Sequence, residues 1–181
     1  VNPISAWLTL ASFVGYAFIY TGYLKHATPQ NIVIGGLSGA MPPLLGWSAV
    51  TGTIEPDALV LVLIIFAWTP PHFWALAIHR KDEYAKSGVP MLPVTHGEFV
   101  TKVHIIVYTV MLVIVSVFPY LSGMSGLLYL VSALVLGFGF LAWSGLLMFK
   151  PKPTTAMDTF KYSIVYLTVL FVALVADHYL F

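Results

Sequence analysis

The chain of 181 residues contains no cysteine. That excludes disulfides, thiolate nucleophiles and thiolate ligation of a metal within it. Charge is scarce too: 8% of positions are charged and 59% hydrophobic, whereas a water-exposed surface usually carries about 25% charge. Lipid is therefore the natural solvent. A net charge of +1 gives no reason to expect a nucleic-acid partner, because binding a phosphate backbone needs clustered basic side chains on an exposed surface. The chain opens on Val1 rather than Met, and its first apolar stretch has neither a basic leader nor a small-residue cleavage site. That start is expected to be a cut or a truncation.

What is abundant is apolar sequence in long runs. Crossing roughly 30 Å of hydrocarbon takes about 20 residues, and runs of that kind cover 6–24, 32–50, 58–78, 103–121, 127–148 and 162–181. The expected fold is an all-α, polytopic membrane bundle, forming a single domain over 1–181. Gly35, Gly36, Gly39, Pro42 and Pro43 interrupt the second run, which membrane helices tolerate when neighbours satisfy the freed backbone groups. Lys25 follows the first run, Arg80, Lys81, Lys86 and Lys102 the third, and Lys150, Lys152 and Lys161 the fifth. These are all eight Lys and Arg residues. By the positive-inside rule this side faces the cytoplasm or mitochondrial matrix, with both chain ends opposite. Gly35 with Gly39, and Ala133 with Gly137, have the small-xxx-small spacing that lets membrane helices pack closely.

The chemistry concentrates in TPPHFWALAIHRKDEYAKSGVPMLPVTHGE, from Thr69 to Glu98. Pro70 and Pro71 lie inside an apolar run, where lost backbone donors kink or break a helix and can open a cavity. His72 follows at a depth where a polar ring is costly unless paired. A resumed helix places His72, His79 and Glu83 near one face, joined by Trp68 if the kink is mild. Such a His serves as often in structure as in function, and a Trp near the interface is commonly an anchor.

Arg80, Lys81, Asp82, Glu83 and Lys86 then gather three cations and two carboxylates at the membrane surface. Two readings fit. One is an ordinary positive-inside loop moderated by acids; the other is a site for a magnesium-bound phosphate group, with Asp82 and Glu83 as metal donors. The second reading asks for another acidic cluster, and the remaining acids, Glu55, Asp57, Glu98, Asp158 and Asp177, form none.

Three ordered stretches, TPQNIVIGGLSGAMPPLLGWSAVTG from Thr28, WTPPHFWALAIHRKDEYAKSGVPMLPVTHGE from Trp68 and FKYSIVYLTVLFVALVAD from Phe160, carry a resemblance that spans nearly the whole chain. The chain resembles the haem O synthases, or protoheme IX farnesyltransferases, of the intramembrane aromatic prenyltransferase superfamily. The resemblance implies about nine helices around a cavity, and transfer of farnesyl from farnesyl diphosphate to a vinyl group of haem b. It implies Mg²⁺ and basic residues drawing off diphosphate, with aromatic rings shielding an allylic cation. Arg80 to Tyr84 match the family's second acidic motif, although Glu83 stands where the family has Asp before the Tyr. Arg80 and Lys86, with Lys81, are the implied diphosphate ligands. Asn31 would orient substrate or cap its helix. His72 would touch haem, as axial ligand or as hydrogen-bond donor to its periphery. Trp68, Phe73, Trp74 and Tyr84 would line the isoprenoid path, with His79 on the same stripe.

The family's first acidic motif, Asn-x-x-x-Asp-x-x-x-Asp, has no counterpart, since no Asp or Glu precedes Glu55. About three further spans and half the metal site are expected outside these residues, leaving the chain inactive alone. Beyond haem b, farnesyl diphosphate and the bilayer, the expected partners are the next enzyme of haem A synthesis or oxidase assembly factors. The compact loops favour a bacterial inner membrane over a mitochondrial one. Two alternatives stay open: a prenyltransferase acting on a quinone precursor, and a non-catalytic haem-binding assembly protein.

Overall fold

The computed structural model describes residues 2–24 and 27–180. Val1, His26, Lys25 of the first basic connection and Phe181 of the last apolar run lie outside the described residues. Helix α1 spans Pro3–Val14. Its start is set by Asn2, whose side chain accepts from the Ser5 backbone N–H at 3.0 Å, and by proline in the first turn, the two preferred N-terminal signals. The chain continues through wider π-helical turns over Gly15–Leu24. Helices α2 (Asn31–Gly39) and α3 (Pro42–Thr51) follow, so the second apolar run is two helices. They part just before Pro42, which has no N–H to continue the ladder. Gly52, at φ 74°, closes α3 in the left-handed conformation glycine adopts freely.

Helix α4 runs from Pro56 to His79, and the short helices α5 (Lys81–Lys86) and α6 (Leu92–Thr95) lie beyond it. Helices α7 (Gly97–Val115), α8 (Phe118–Leu121), α9 (Leu127–Phe149) and α10 (Thr155–Leu180) complete the chain. No strand occurs among the described residues. Among the described residues six helical stretches are long and apolar enough to cross a membrane: Pro3–Leu24, Asn31–Thr51, Pro56–His79, Gly97–Leu121, Leu127–Phe149 and Thr155–Leu180. Helix α4 is central, packing on α2, α3, α7 and α10. Of its apolar window 56% is buried, against 6% for Pro3–Leu24, which leaves the first stretch facing outward.

Three expectations need correction. First, of the kink or break expected at Pro70 and Pro71, the break does not occur: α4 stays helical through both. The two prolines cost the bonds that the Phe66 and Ala67 carbonyls would receive, and both rings are buried among neighbouring helices, where packing holds the helix together. Second, the stripe His72, His79, Glu83 is interrupted, because Arg80 (φ −105°, ψ 26°) separates α4 from α5. Third, the close approach of α2 does not use Gly35 and Gly39 as a pair. A Cβ on Gly35 would collide with the Tyr20 ring and one on Gly36 would lie 2.9 Å from Thr69 Cγ2, whereas a Cβ on Gly39 would meet nothing. The second small pair does pack closely: Ala133 is buried, and a Cβ on Gly137 would lie 2.8 Å from Val113 of α7.

Candidate functional site

Helix α4 meets α10 through a sandwich of rings. The His72 imidazole lies between the Trp68 indole, with centroids 4.1 Å apart and planes at 20°, and the Phe160 ring at 4.6 Å and 28°. Phe73 approaches the His72 edge at 5.0 Å and 81°. Trp68 and His72 are one helical turn apart, so both reach the same stretch of α10. Ser163 receives them together: its backbone oxygen accepts from Trp68 Nε1 at 2.8 Å, and its Oγ lies 2.7 Å from His72 Nδ1. His72 is 8% exposed, and its polarity at this depth is met by that hydroxyl. The ring sandwich confirms that Trp68 shares the His72 face.

Beside this junction lies a cavity of about 260 Å³ between the π-helical stretch, α2 and α4. Its wall combines the rings of Tyr16, Tyr20, Trp68 and Phe73 with Gly35, Gly36 and Gly39, whose missing side chains leave the room. The lining is apolar and aromatic, the composition of a small-molecule pocket with few polar groups. Trp74 is not part of it. Fully buried on the other side of α4, it sets its edge against His104 and Tyr108 of α7 at 5.6 and 5.4 Å. The next ring in sequence thus belongs to the core, because adjacent helical residues point about 100° apart.

The charged end of α4 lies about 10 Å along the axis from Phe73, at 1.5 Å per residue. Arg80 Nη1 stands 3.7 Å from Glu83 Oε2, Lys81 3.6 Å from Glu98 and Lys102 3.5 Å from Glu98. His79, Asp82 and Lys86 are exposed, and Tyr84 packs half-buried against the cluster that contains Trp74 and Met91. Glu98 and Lys102 thus join the surface without having stood out in the sequence. Asn31 is fully buried at the first position of α2, while Gln30 occupies the capping position. Capping by Asn31 is thereby set aside.

Among the described residues no group of three or more His, Asp or Glu side chains could hold a metal. A Mg²⁺ ion held by protein alone does not fit here. Mg²⁺ is commonly bound through one or two carboxylates together with phosphate oxygens and waters, and the exposed Asp82, outside the Arg80–Glu83 pair, suits that shared arrangement.

Ser163, Phe160, Tyr16 and Tyr20 were not singled out in the sequence. A serine or an aromatic ring in an apolar run has no distinguishing period, and the signal available was only that FKYS opens the third stretch of the resemblance.

The model of the UbiA prenyltransferase family matches residues 1–175. The chain is 64% identical over 180 residues to the protoheme IX farnesyltransferase of Hahella chejuensis (strain KCTC 2396). It is 67% identical over 179 residues to protoheme IX farnesyltransferase 1 of Pseudomonas fluorescens (strain Pf0-1). In both cases 99% of this chain aligns with 60% of the relative, so the chain spans about three fifths of the length of these curated relatives. A solved structure described under "Structural and mechanistic insights into the biosynthesis of Digeranylgeranylglyceryl phosphate synthase in membranes" superposes with TM-score 0.83 at 19% identity, covering 98% of this chain and 62% of that one. That likeness concerns the fold.

Proposed function

Since the chain belongs to the UbiA prenyltransferase family, we propose that it forms part of a protoheme IX farnesyltransferase, transferring farnesyl from farnesyl diphosphate to a vinyl group of haem b to give haem O. The observation that carries this reading is one helix, α4, with an aromatic cavity along its middle and a cluster of cations and carboxylates at its end. An allylic diphosphate has that same division into an apolar tail and a polyanionic head. The tail would lie against Tyr16, Tyr20, Trp68 and Phe73, whose π faces stabilise positive charge.

Arg80, Lys86 and Lys81 would bind the departing diphosphate. The Arg80–Glu83 and Lys81–Glu98 pairs are surface pairs, worth about 0–1 kcal/mol each, so a polyanion displaces them readily. Asp82, with phosphate oxygens, would hold Mg²⁺, which supplies charge neutralisation at the leaving group. Glu83 is the less available carboxylate because Arg80 engages it. His72 is the residue for haem contact, and Asn31, buried at the first position of α2, would orient substrate. The basic connections would face the cytoplasm of a bacterial inner membrane. With no carboxylate before Glu55, the 181 residues alone would not turn over.

The test uses the full-length gene product in lipid vesicles with haem b, farnesyl diphosphate and Mg²⁺. Haem O is read by chromatography and mass. Conversion that requires all three additions and is lost in Arg80→Ala supports the proposal. Prenylation of a quinone precursor in place of haem b overturns it.

A further inference from the structure

The turn between α9 and α10 carries opposite charges that do not meet. Lys150 and Lys152 lie in the connection, and Asp158 stands in the first turn of α10. All three line one cavity of about 220 Å³, together with Trp143 and Leu146 of α9 and Thr155 of α10. Among the described residues Arg80, Lys81 and Lys102 each face a carboxylate, while Lys150, Lys152 and Asp158 form no ion pair. The cavity keeps the two signs apart, with room for one molecule that answers both.

Its wall is held by the backbone. Pro151 and Pro153 fix their own φ. The Lys152 N–H donates to Thr155 Oγ1 at 2.9 Å, and the Thr155 N–H returns a bond to the Lys152 carbonyl at 3.0 Å. Thr155 is 4% exposed, and its hydroxyl proton goes to no protein acceptor among the described residues. That proton is left for a ligand oxygen. Leu146 gives the cavity an apolar edge, which Phe149 continues along the exposed flank of α9. Trp and Lys are the side chains that sit where hydrocarbon meets head groups, and basic pockets between membrane helices take lipid head groups.

We propose that this cavity holds the head group of a phosphatidylethanolamine, its phosphate diester between Lys150 and Lys152, its ammonium at Asp158 and its acyl chains along Leu146 and Phe149. Charge selects this lipid. A phosphate accepts from the two ammonium groups and from the Thr155 hydroxyl, but has nothing to give an ionised carboxylate, which only accepts. Asp158 therefore asks for a donor on the same molecule. Ethanolamine supplies a cation with three N–H donors; glycerol offers neutral hydroxyls, and choline has no N–H. The inference stands apart from the prenyl-transfer reading, because none of the residues assigned to haem or farnesyl diphosphate lines this cavity.

The test uses the full-length protein in nanodiscs of phosphatidylcholine containing equal parts of phosphatidylethanolamine and phosphatidylglycerol. Native mass spectrometry counts the lipids that stay bound on release. Wild type is expected to retain phosphatidylethanolamine ahead of the other two. Asp158→Asn should lower that retention about tenfold, the scale of one charged hydrogen bond, and leave phosphatidylglycerol unchanged, while Asp158→Glu keeps the preference. Lys150→Gln combined with Lys152→Gln should lower retention of both lipids. Preference for phosphatidylglycerol in wild type overturns the ethanolamine assignment. Equal retention of phosphatidylethanolamine in wild type and Asp158→Asn, or in wild type and the double lysine variant, overturns the site.

Discussion

Asp177, one turn from the end of α10, accepts a hydrogen bond from the Tyr129 backbone N–H at 3.2 Å and another from Gly126 N–H at the start of α9. A residue 48 positions away in sequence thus does what an N-cap side chain usually does locally. The carboxylate is 3% exposed and sits at the positive end of the α9 dipole, which lowers the cost of burying it. Asp177→Ala removes both bonds, and loss of a cap costs about 1–2 kcal/mol. Thermal unfolding in detergent, followed by tryptophan fluorescence, should show the midpoint lowered in Asp177→Ala and partly recovered in Asp177→Asn. An unchanged midpoint in Asp177→Ala would show that the contact contributes nothing.

Asp177 also marks where the sequence was legible and where it was not. Six apolar runs could be counted because each is long enough to span and flanked by polar residues. Their ends could not be placed. Helix α7 begins at Gly97 rather than 103 because the Glu98–Lys102 pair, one turn apart, lets helix extend beyond the apolar run. Helix α10 begins at Thr155 rather than 162, where the Thr155 hydroxyl accepts from Lys152 N–H at 2.9 Å. At the site, His72 stood out as a polar ring in an apolar run. Its partner Ser163, 91 residues on, did not, since pairing between distant helices leaves no local pattern.

The cavity wall offers a position where volume can be added without disturbing packing. A Cβ on Gly39 would meet nothing, while one on Gly36 would press on Thr69. Under the proposed function, Gly39→Leu in the full-length protein should therefore fill the space beside Trp68 and Phe73 and lower haem O formation about tenfold, a loss of roughly 1.4 kcal/mol in transition-state binding. Its unfolding midpoint should match wild type, whereas Gly36→Leu should lose stability as well. Normal activity in Gly39→Leu would mean that the tail of the substrate lies elsewhere.

Phe73 and Trp74 are neighbours with opposite duties, one at the cavity and 40% exposed, the other fully buried against α7. Truncating a buried Trp costs about 3–5 kcal/mol, so Trp74→Ala should reduce folded yield and unfolding temperature. Phe73→Ala should leave both nearly unchanged while raising KM for farnesyl diphosphate. The reverse pattern would return Trp74 to the isoprenoid path.

The last separation is between the two adjacent acids. Glu83 shares its charge with Arg80 at 3.7 Å, while Asp82 stands outside that pair at the exposed start of α5. A carboxylate already facing a guanidinium has less to offer a cation, and under the proposed function neutralising it would also free Arg80 for the diphosphate. Asp82→Asn should accordingly raise the Mg²⁺ concentration needed for half-maximal haem O formation by about tenfold, the scale of one lost charged donor at about 1.4 kcal/mol. Glu83→Gln should shift it less, with both variants unfolding like wild type. A larger shift in Glu83→Gln than in Asp82→Asn would reassign the metal to the acid beside Tyr84, and would mean that Arg80 leaves Glu83 once substrate arrives.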